Sequence, residues 1–152
     1  MTAPELRFAF EVSVEVQQPL DLGQTQAGHR RVIPIASGAV YGPRLQGRIL
    51  PGGADWQLLR PDGTADLDAR YTIRCDDGAL ISVVNRGVRH GPPEILAKLN
   101  QGETVDPASY YFRSAASFET SAPQHLWLTR AIFIGVGERY PDRVLIRFWE
   151  LL

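Results

Sequence analysis

The stretch Leu6-Arg7-Phe8-Ala9-Phe10-Glu11-Val12-Ser13-Val14-Glu15-Val16 decides the fold class of this chain. Large apolar side chains occupy every second position, and polar residues or alanine stand between them. Successive side chains of a β-strand point to opposite faces, so a period of two places the apolar groups on one face of a strand. A helix would scatter them around its circumference. We therefore predict a long strand whose buried face carries Leu6, Phe8, Phe10, Val12 and Val14.

The same alternation returns in residues 67–75, with an Asp-Gly pair before it and another after it. Asp-Gly suits the tight turns of hairpins, so neighbouring strands are predicted over residues 56–60 and 79–86. Residues 126–136 and 143–151 predict a second hairpin near the end of the chain. The segment Pro93–Asn100 starts with proline and is followed by Gly102, which predicts a short helix. We expect this helix to cover a barrel opening or to form an excursion between strands.

Many short strands with one minor helix predict an all-β fold. A closed or nearly closed antiparallel β-barrel of about eight to ten strands is favoured, because closure removes exposed sheet edges. No linker or repeat divides the sequence, so residues 1–152 are expected to form a single domain. A barrel of this size has an interior just wide enough for side chains or one small ligand.

Composition excludes several function classes. Lys and Arg together number 16 and Asp and Glu 17, for a formal net charge of −1. Without a basic surplus we expect no nucleic-acid partner and no anionic membrane partner. Cys75 is the only cysteine, so no intramolecular disulfide forms. The first residues lack the basic and apolar pattern of a signal peptide, and a cytoplasmic location is expected. A small-molecule ligand and a homo-oligomer both stay open.

Five segments together carry a family resemblance: Gly42–Trp56, Asp68–Tyr71, Tyr111–Arg113, Phe118–Thr120 and Trp127–Leu128. In this order they resemble DUF3237, a family of bacterial and fungal proteins of unknown function. The resemblance extends over essentially the whole chain. It implies a small β-barrel, in agreement with the periodicity, and it implies no assigned activity.

Gly52-Gly53 turns the backbone sharply before Asp55 and Trp56. One interpretation places Asp55 as a general base or ligand acceptor at a barrel mouth, with Trp56 as an apolar wall. The other is a turn in which Asp55 binds nearby backbone N–H groups and Trp56 belongs to the core. The sequence leaves both open.

Further candidates for ligand binding are Arg70, Tyr71, Arg113 and Trp127, and Glu119 is a second candidate for catalysis. Arg70 alternates with apolar neighbours, so it either faces water or binds a carboxylate or enolate oxygen in a partly polar lumen. Glu119 lies beside an aromatic residue, where burial would raise its pKa toward the range useful for acid–base work. Arg113 would oppose that shift, and a surface salt bridge is the alternative. If a site exists, we expect at least four of the seven candidates to converge on one barrel opening.

No metal or cofactor is expected. The histidines His29, His90 and His125 are far apart and show no ligand-like spacing. Cys75 falls on the apolar face of its predicted strand and is expected to be a buried structural thiol.

Three functions agree with the sequence. The first is a cofactor-independent isomerase, cyclase, dehydratase or lyase for a small aromatic or carbonyl-bearing metabolite. The second is a binding or carrier barrel without chemistry, and the third is a structural or assembly module. A cavity holding an ionisable carboxylate opposite arginine would favour the first.

Overall fold

The computed structural model describes residues 1–152 and contains ten strands and one α-helix. The strands are β1 (Leu6–Val16), β2 (Leu20–Thr25), β3 (Gly28–Tyr41), β4 (Gly47–Ile49), β5 (Ala54–Leu59), β6 (Ala65–Cys75), β7 (Leu80–His90), β8 (Tyr111–Glu119), β9 (Ile132–Arg139) and β10 (Arg143–Leu151). The helix α1 spans Pro93–Asn100, as predicted. Two short 3-10 helices cover Pro107–Ser109 and Pro123–Thr129.

The strands form a closed antiparallel barrel, which confirms the predicted fold class. From β6 to β10 each strand pairs with the next along the chain. β10 then pairs with β1, and β1 pairs with β3. The circle is completed by β4 and β5, which bridge different stretches of β3 and β6 and so share one position in the wall. β2 pairs with the first residues of β3, 28–32.

The first strand departs from strict alternation at one point. Its pairing with β10 shifts between Phe8 and Phe10, and Ala9 is the extra residue of a β-bulge. Phe10, Val12 and Val14 are buried as predicted, and Ala9 is buried beside them. The prediction that Leu6 and Phe8 face the interior is wrong, because the bulge turns the start of the strand over. Phe8 instead packs edge-on against Trp149, with ring centroids 5.5 Å apart.

One half of the barrel is filled with aromatic side chains. Four rings meet there at centroid distances of 5.0 to 6.0 Å: Phe10, Phe118, Phe133 and Phe148. The 3-10 helix Pro123–Thr129 places Leu128 and Trp127 against this cluster. The strand predicted from residue 126 therefore begins only at Ile132, because the preceding apolar residues pack onto the core from a helix. We call this half the closed end.

Helix α1 follows β7 and flanks the opposite half, the open end. Its buried residues Leu96 and Leu99 pack with Leu67, Tyr110 and Phe112 in a second, smaller apolar cluster. The end of the helix thus lies beside the rim of the barrel. No helix in the structure combines the length and apolar character that a membrane crossing requires.

Candidate functional site

The open end of the barrel contains an interior cavity of about 50 Å³. Apolar walls come from β1, β3 and β10, including Val14, Ile35 and Ile146. Space of about 10–15 Å³ is enough for one water molecule, so the cavity admits several waters or the polar end of an organic molecule. Ligand sites typically combine apolar walls of this kind with a few polar groups.

Strand β7 shows how the chain changes from core to cavity along one inward face. Ile81 and Val83 are buried at the closed end, and Asn85 and Arg89 follow on the same face toward the open end. Both polar residues line the cavity. The period of two therefore continues along β7 while the chemistry of the inward positions changes from apolar to polar.

Asp55 and Gln57 enter the cavity from β5, and Trp56 between them points to the outer wall. The Asp55 carboxylate accepts a hydrogen bond from Gln57 Nε2 at 2.8 Å and from the Asp68 backbone N–H at 2.9 Å. The backbones of β5 and β6 are not paired at Trp56 and Gln57. In this gap the Asp55 carboxylate, and not a backbone carbonyl of β5, accepts the hydrogen bond of the Asp68 N–H.

Burial raises the pKa of Asp55 above its usual value, because the cavity solvates the charged carboxylate poorly. The hydrogen bonds from Gln57 and Asp68 and the positive charge of Arg89 oppose this rise without cancelling it. Asp55 is therefore a stronger base than an exposed aspartate. A pKa moved toward neutrality is the property that general acid–base catalysis requires.

Four buried polar atoms in the cavity wall have no hydrogen-bond partner in the protein: Gln57 Oε1, Tyr71 Oη, Asn85 Oδ1 and Ser114 Oγ. Buried polar groups are hydrogen-bonded in the great majority of cases, so four exceptions around one cavity call for an explanation. Burial raises the pKa of Tyr71, which keeps its hydroxyl neutral and able to donate. Together these four atoms can donate hydrogen bonds to a polar ligand and accept hydrogen bonds from it.

Arg89 and Arg139 both supply positive charge to the site. Arg89 is only 5% exposed, and burial lowers its pKa to about 10. Burial also lowers the pKa of Arg139, whose Nη1 donates to the Tyr140 carbonyl at 2.7 Å. The Arg139 backbone N–H donates to Tyr110 Oη at 2.8 Å, which anchors the end of β9.

Next to the cavity, beside the end of α1, lies a wider surface cavity of about 230 Å³, which we call the mouth. Arg89 and Arg139 line both spaces, together with Val16 and Ile33. Arg31 lines the mouth and donates from Nη1 to Asn100 Oδ1 at 3.3 Å, which links β3 to the end of the helix. Helix α1 therefore forms one side of the entrance.

Among the seven residues proposed from the sequence, the structure brings only Asp55 and Tyr71 together in the cavity. Trp56, Arg70 and Arg113 lie on the outer wall, and Arg70 pairs there with Asp68 at 3.2 Å. Glu119 is exposed at the end of β8, and Trp127 packs at the closed end with the Arg44 guanidinium 3.9 Å from its ring centroid. The prediction that at least four residues converge is wrong, because three of the seven occupy outward-facing strand positions and two lie at the closed end of the barrel.

The sequence reasoning missed five polar residues of the cavity: Gln57, Asn85, Arg89, Ser114 and Arg139. A signal for two of them was present, since Asn85 and Arg89 continue the inward parity of Ile81 and Val83. A polar residue at a position that alternation assigns to the interior is informative, because it needs a reason to be buried.

A separate cluster lies at the closed end, where metal-ligand-type atoms of Cys75, Asp77 and His125 are within 4.8 Å of one another. His125 Nε2 is 2.7 Å from Asp77 Oδ2, and this contact accounts for the position of the imidazole. Cys75 is buried, as predicted. Burial and the Asp77 and Asp76 charges raise the pKa of its thiol to about 11, which disfavours the thiolate that a metal would bind.

Comparison with known proteins places the chain among relatives of similar length. A UPF0311 protein of Clostridium acetobutylicum is 43% identical over 143 residues, which cover 93% of this chain and 90% of the relative. The crystal structure of a conserved protein of unknown function from Rhodopseudomonas palustris matches with a TM-score of 0.95 at 39% identity, covering 100% of this chain and 99% of the other.

A more distant likeness is to the crystal structure of an enzyme from Penicillium herquei, with a TM-score of 0.74 at 22% identity, covering 100% of this chain and 97% of the other. At that identity the likeness shows a shared fold. The family model described as "Protein of unknown function (DUF3237)" matches residues 4–151. The chain therefore belongs to the DUF3237 family.

Proposed function

We propose that this protein is a cofactor-independent enzyme that moves a proton on a small carbonyl-bearing molecule, with Asp55 as the acid–base group. The observation that carries the proposal is the buried Asp55 carboxyl, whose pKa is raised, in one cavity with four unpartnered polar atoms. Titratable groups perturbed by burial inside a cleft concentrate at functional sites. The Penicillium herquei enzyme shares the fold, which supports the proposal only by analogy.

The chemistry follows from the groups present. The ionised Asp55 carboxylate takes a proton from the carbon next to a carbonyl, and the electron pair of the broken C–H bond moves onto the carbonyl oxygen. The enolate oxygen accepts a hydrogen bond from the Tyr71 hydroxyl, whose oxygen has no other partner in the protein. Protonated Asp55 then returns the proton to a second carbon, for an isomerisation, or to a departing hydroxyl, for a dehydration.

The test measures proton abstraction directly, without knowledge of the natural substrate. Phenylacetone in D₂O serves as the probe, and deuterium incorporation at its benzylic carbon is followed by NMR. We expect Asp55→Asn to lower the protein-catalysed exchange by about 100-fold or more, since general acid–base catalysis contributes roughly 10²–10⁴-fold. Tyr71→Phe should lower it by a smaller factor. Glu119→Gln, which changes an exposed carboxylate at the other end of the barrel, is the matched control and should leave the rate unchanged.

A carrier function makes a different prediction. The wild-type protein and Asp55→Asn would then bind the probe alike, and neither would accelerate exchange above the rate in buffer. That result would overturn the enzymatic proposal and leave a binding barrel.

A further inference from the structure

The cavity contains a buried cation without a counter-ion. Arg89 lies in the cavity wall and forms no salt bridge, and none of the side-chain hydrogen bonds of the protein includes its guanidinium. Its guanidinium carbon lies 6.0 Å from the centroid of the Phe112 ring. An unpaired buried charge is costly, and arginine at such a position is ordinarily paired. The charge of Asp55 acts on Arg89, but the two side chains form no salt bridge.

The positive charge continues from the cavity to the surface. Arg139 lines both spaces and Arg31 lines the mouth, and each of them acts on the charge of Arg89. Three guanidinium groups therefore line the cavity and the mouth beside it. Asp55 is the one acidic residue that lines either space. Clefts lined by one sign of charge attract ligands of the opposite sign.

We infer that the substrate class of this cavity is small organic carboxylates, with the carboxylate held by Arg89 and guided inward by Arg139 and Arg31. The inference deepens the proposed function, because it names what the same cavity takes. A guanidinium presents its donors in a plane that matches a carboxylate through two parallel hydrogen bonds. The remaining apolar walls, among them Ile35, Leu67 and Ile146, receive the hydrocarbon part.

Carboxylate is favoured over phosphate by the size and lining of the inner space. The cavity has a volume of about 50 Å³. Of its two arginines, Arg139 donates to a backbone carbonyl, so Arg89 is the one whose guanidinium is free to bind a ligand. A phosphate monoester carries up to two negative charges, and one guanidinium balances only one of them. A carboxylate brings a single charge.

The test compares ligands of one shape and different charge by isothermal titration calorimetry: benzoate, benzamide, benzylamine and phenyl phosphate. We expect benzoate to bind at least about 10-fold more tightly than benzamide, because charge-assisted hydrogen bonds are the stronger ones. Benzylamine and phenyl phosphate should bind more weakly than benzoate. Equal affinity for benzoate and benzamide, or binding of neither, would overturn the inference. Tighter binding of phenyl phosphate would overturn the choice of carboxylate.

Variants assign the effect to the arginines. Arg89→Met should lower benzoate affinity by about 10- to 100-fold while leaving benzamide affinity nearly unchanged. Arg31→Gln should lower it by a few-fold and flatten its dependence on salt. Arg113→Gln removes the same charge from the outer wall and is the matched control, with no expected effect. The ligand comparison on the wild-type protein does not depend on the folding of any variant.

The outcomes separate this inference from the proposed function. Benzoate selectivity in both wild type and Asp55→Asn, with no phenylacetone exchange, would support the carboxylate site and overturn the enzyme. Exchange that depends on Asp55, without preference for benzoate, would support the enzyme and overturn the carboxylate class.

Discussion

Asp55 is subject to opposing influences on its ionisation. Two hydrogen bonds favour the carboxylate, and burial disfavours it more strongly. Because the pKa in the folded protein lies above that in the unfolded chain, the ionised side chain destabilises the fold at neutral pH. As the pH falls through the folded pKa, the native protein takes up the proton first and the penalty is relieved. Below the unfolded value of about 3.9, both states are protonated.

We therefore predict that Asp55→Asn raises the stability at pH 7, by about 1 kcal/mol or a few degrees in Tm. Asparagine keeps an acceptor for the Asp68 N–H, and the Gln57 amide can rotate so that its unpartnered Oε1 accepts from the new amide. Thermal denaturation at several pH values measures the gain, which should shrink as the pH is lowered toward 4 or so.

Asp68→Asn is the control with the opposite sign. The Arg70 guanidinium holds the pKa of Asp68 below its usual value, so its charge stabilises the fold above the unfolded pKa and this contribution is lost as the pH falls through the folded one. The pair is partly exposed, so the loss at pH 7 should be about 0.5 kcal/mol or less. An Asp55→Asn protein that melts below wild type at pH 7 would contradict the account of Asp55.

At the scale of elements, the bulge in β1 and the helix α1 shape the two ends of the barrel. Ala9 and Phe10 are both buried because the bulge adds a residue. In the part of β1 that precedes the bulge, the Phe8 side chain faces outward. Phe10 thereby joins the aromatic cluster of the closed end. Bulges often re-aim side chains in this way.

Helix α1 is too short to be stable alone, and its position depends on packing. Leu96 is buried against the second cluster and also lies near Gly63, where an added Cβ would meet Leu96 Cδ1 at 3.1 Å. We predict that Leu96→Ala loosens the helix and costs about 2–3 kcal/mol. Hydrogen exchange should show faster amides in residues 95–102, while the β6–β7 ladder keeps its protection.

The exposed neighbour Ala97→Gly is an informative comparison for that helix. It weakens helix propensity by about 1 kcal/mol without removing buried contacts. If both variants raised exchange equally in α1, propensity and not packing would hold the helix in place.

At the scale of the whole molecule, the barrel divides into an apolar closed end and a polar open end. The four packed rings and most of the larger buried apolar cluster lie in the closed end. The open end instead carries buried charge and unpartnered polar atoms, as functional sites commonly do at a cost in stability.

This division leads to a prediction about metal and redox dependence. The larger cluster contains 19 buried residues, a core sufficient for a domain of this size, and the single cysteine forms no intramolecular disulfide. EDTA and reductant should each leave Tm within about 2–3 °C of the untreated value. A large fall with EDTA alone would point to the Cys75, Asp77 and His125 cluster as a metal site. His125→Gln would then abolish the effect of EDTA.

The sequence alone determined the architecture. Alternation over β1 and β6, the Asp-Gly turns and the proline before α1 are local signals, since each reflects backbone geometry within a few residues. For the same reason the helix bounds and most strands were predictable. Residues 126–131 were not, because their apolar pattern suits a strand and a helix that packs on the core equally well.

The site was decided by the tertiary structure. Alternation states that Asp55 and Trp56 face opposite sides, but not which side becomes the lumen. Ala54, Trp56 and Leu58 form the more apolar face of β5, yet Asp55 and Gln57 on the other face line the cavity. Closure of β1 onto β3 and β10 settles that choice, and the pairing of β5, β6 and β7 brings Asp55, Tyr71 and Arg89 together. These residues lie on three consecutive strands, so the register of two hairpins sets their spacing, but the side that they share becomes a lumen only when the barrel closes.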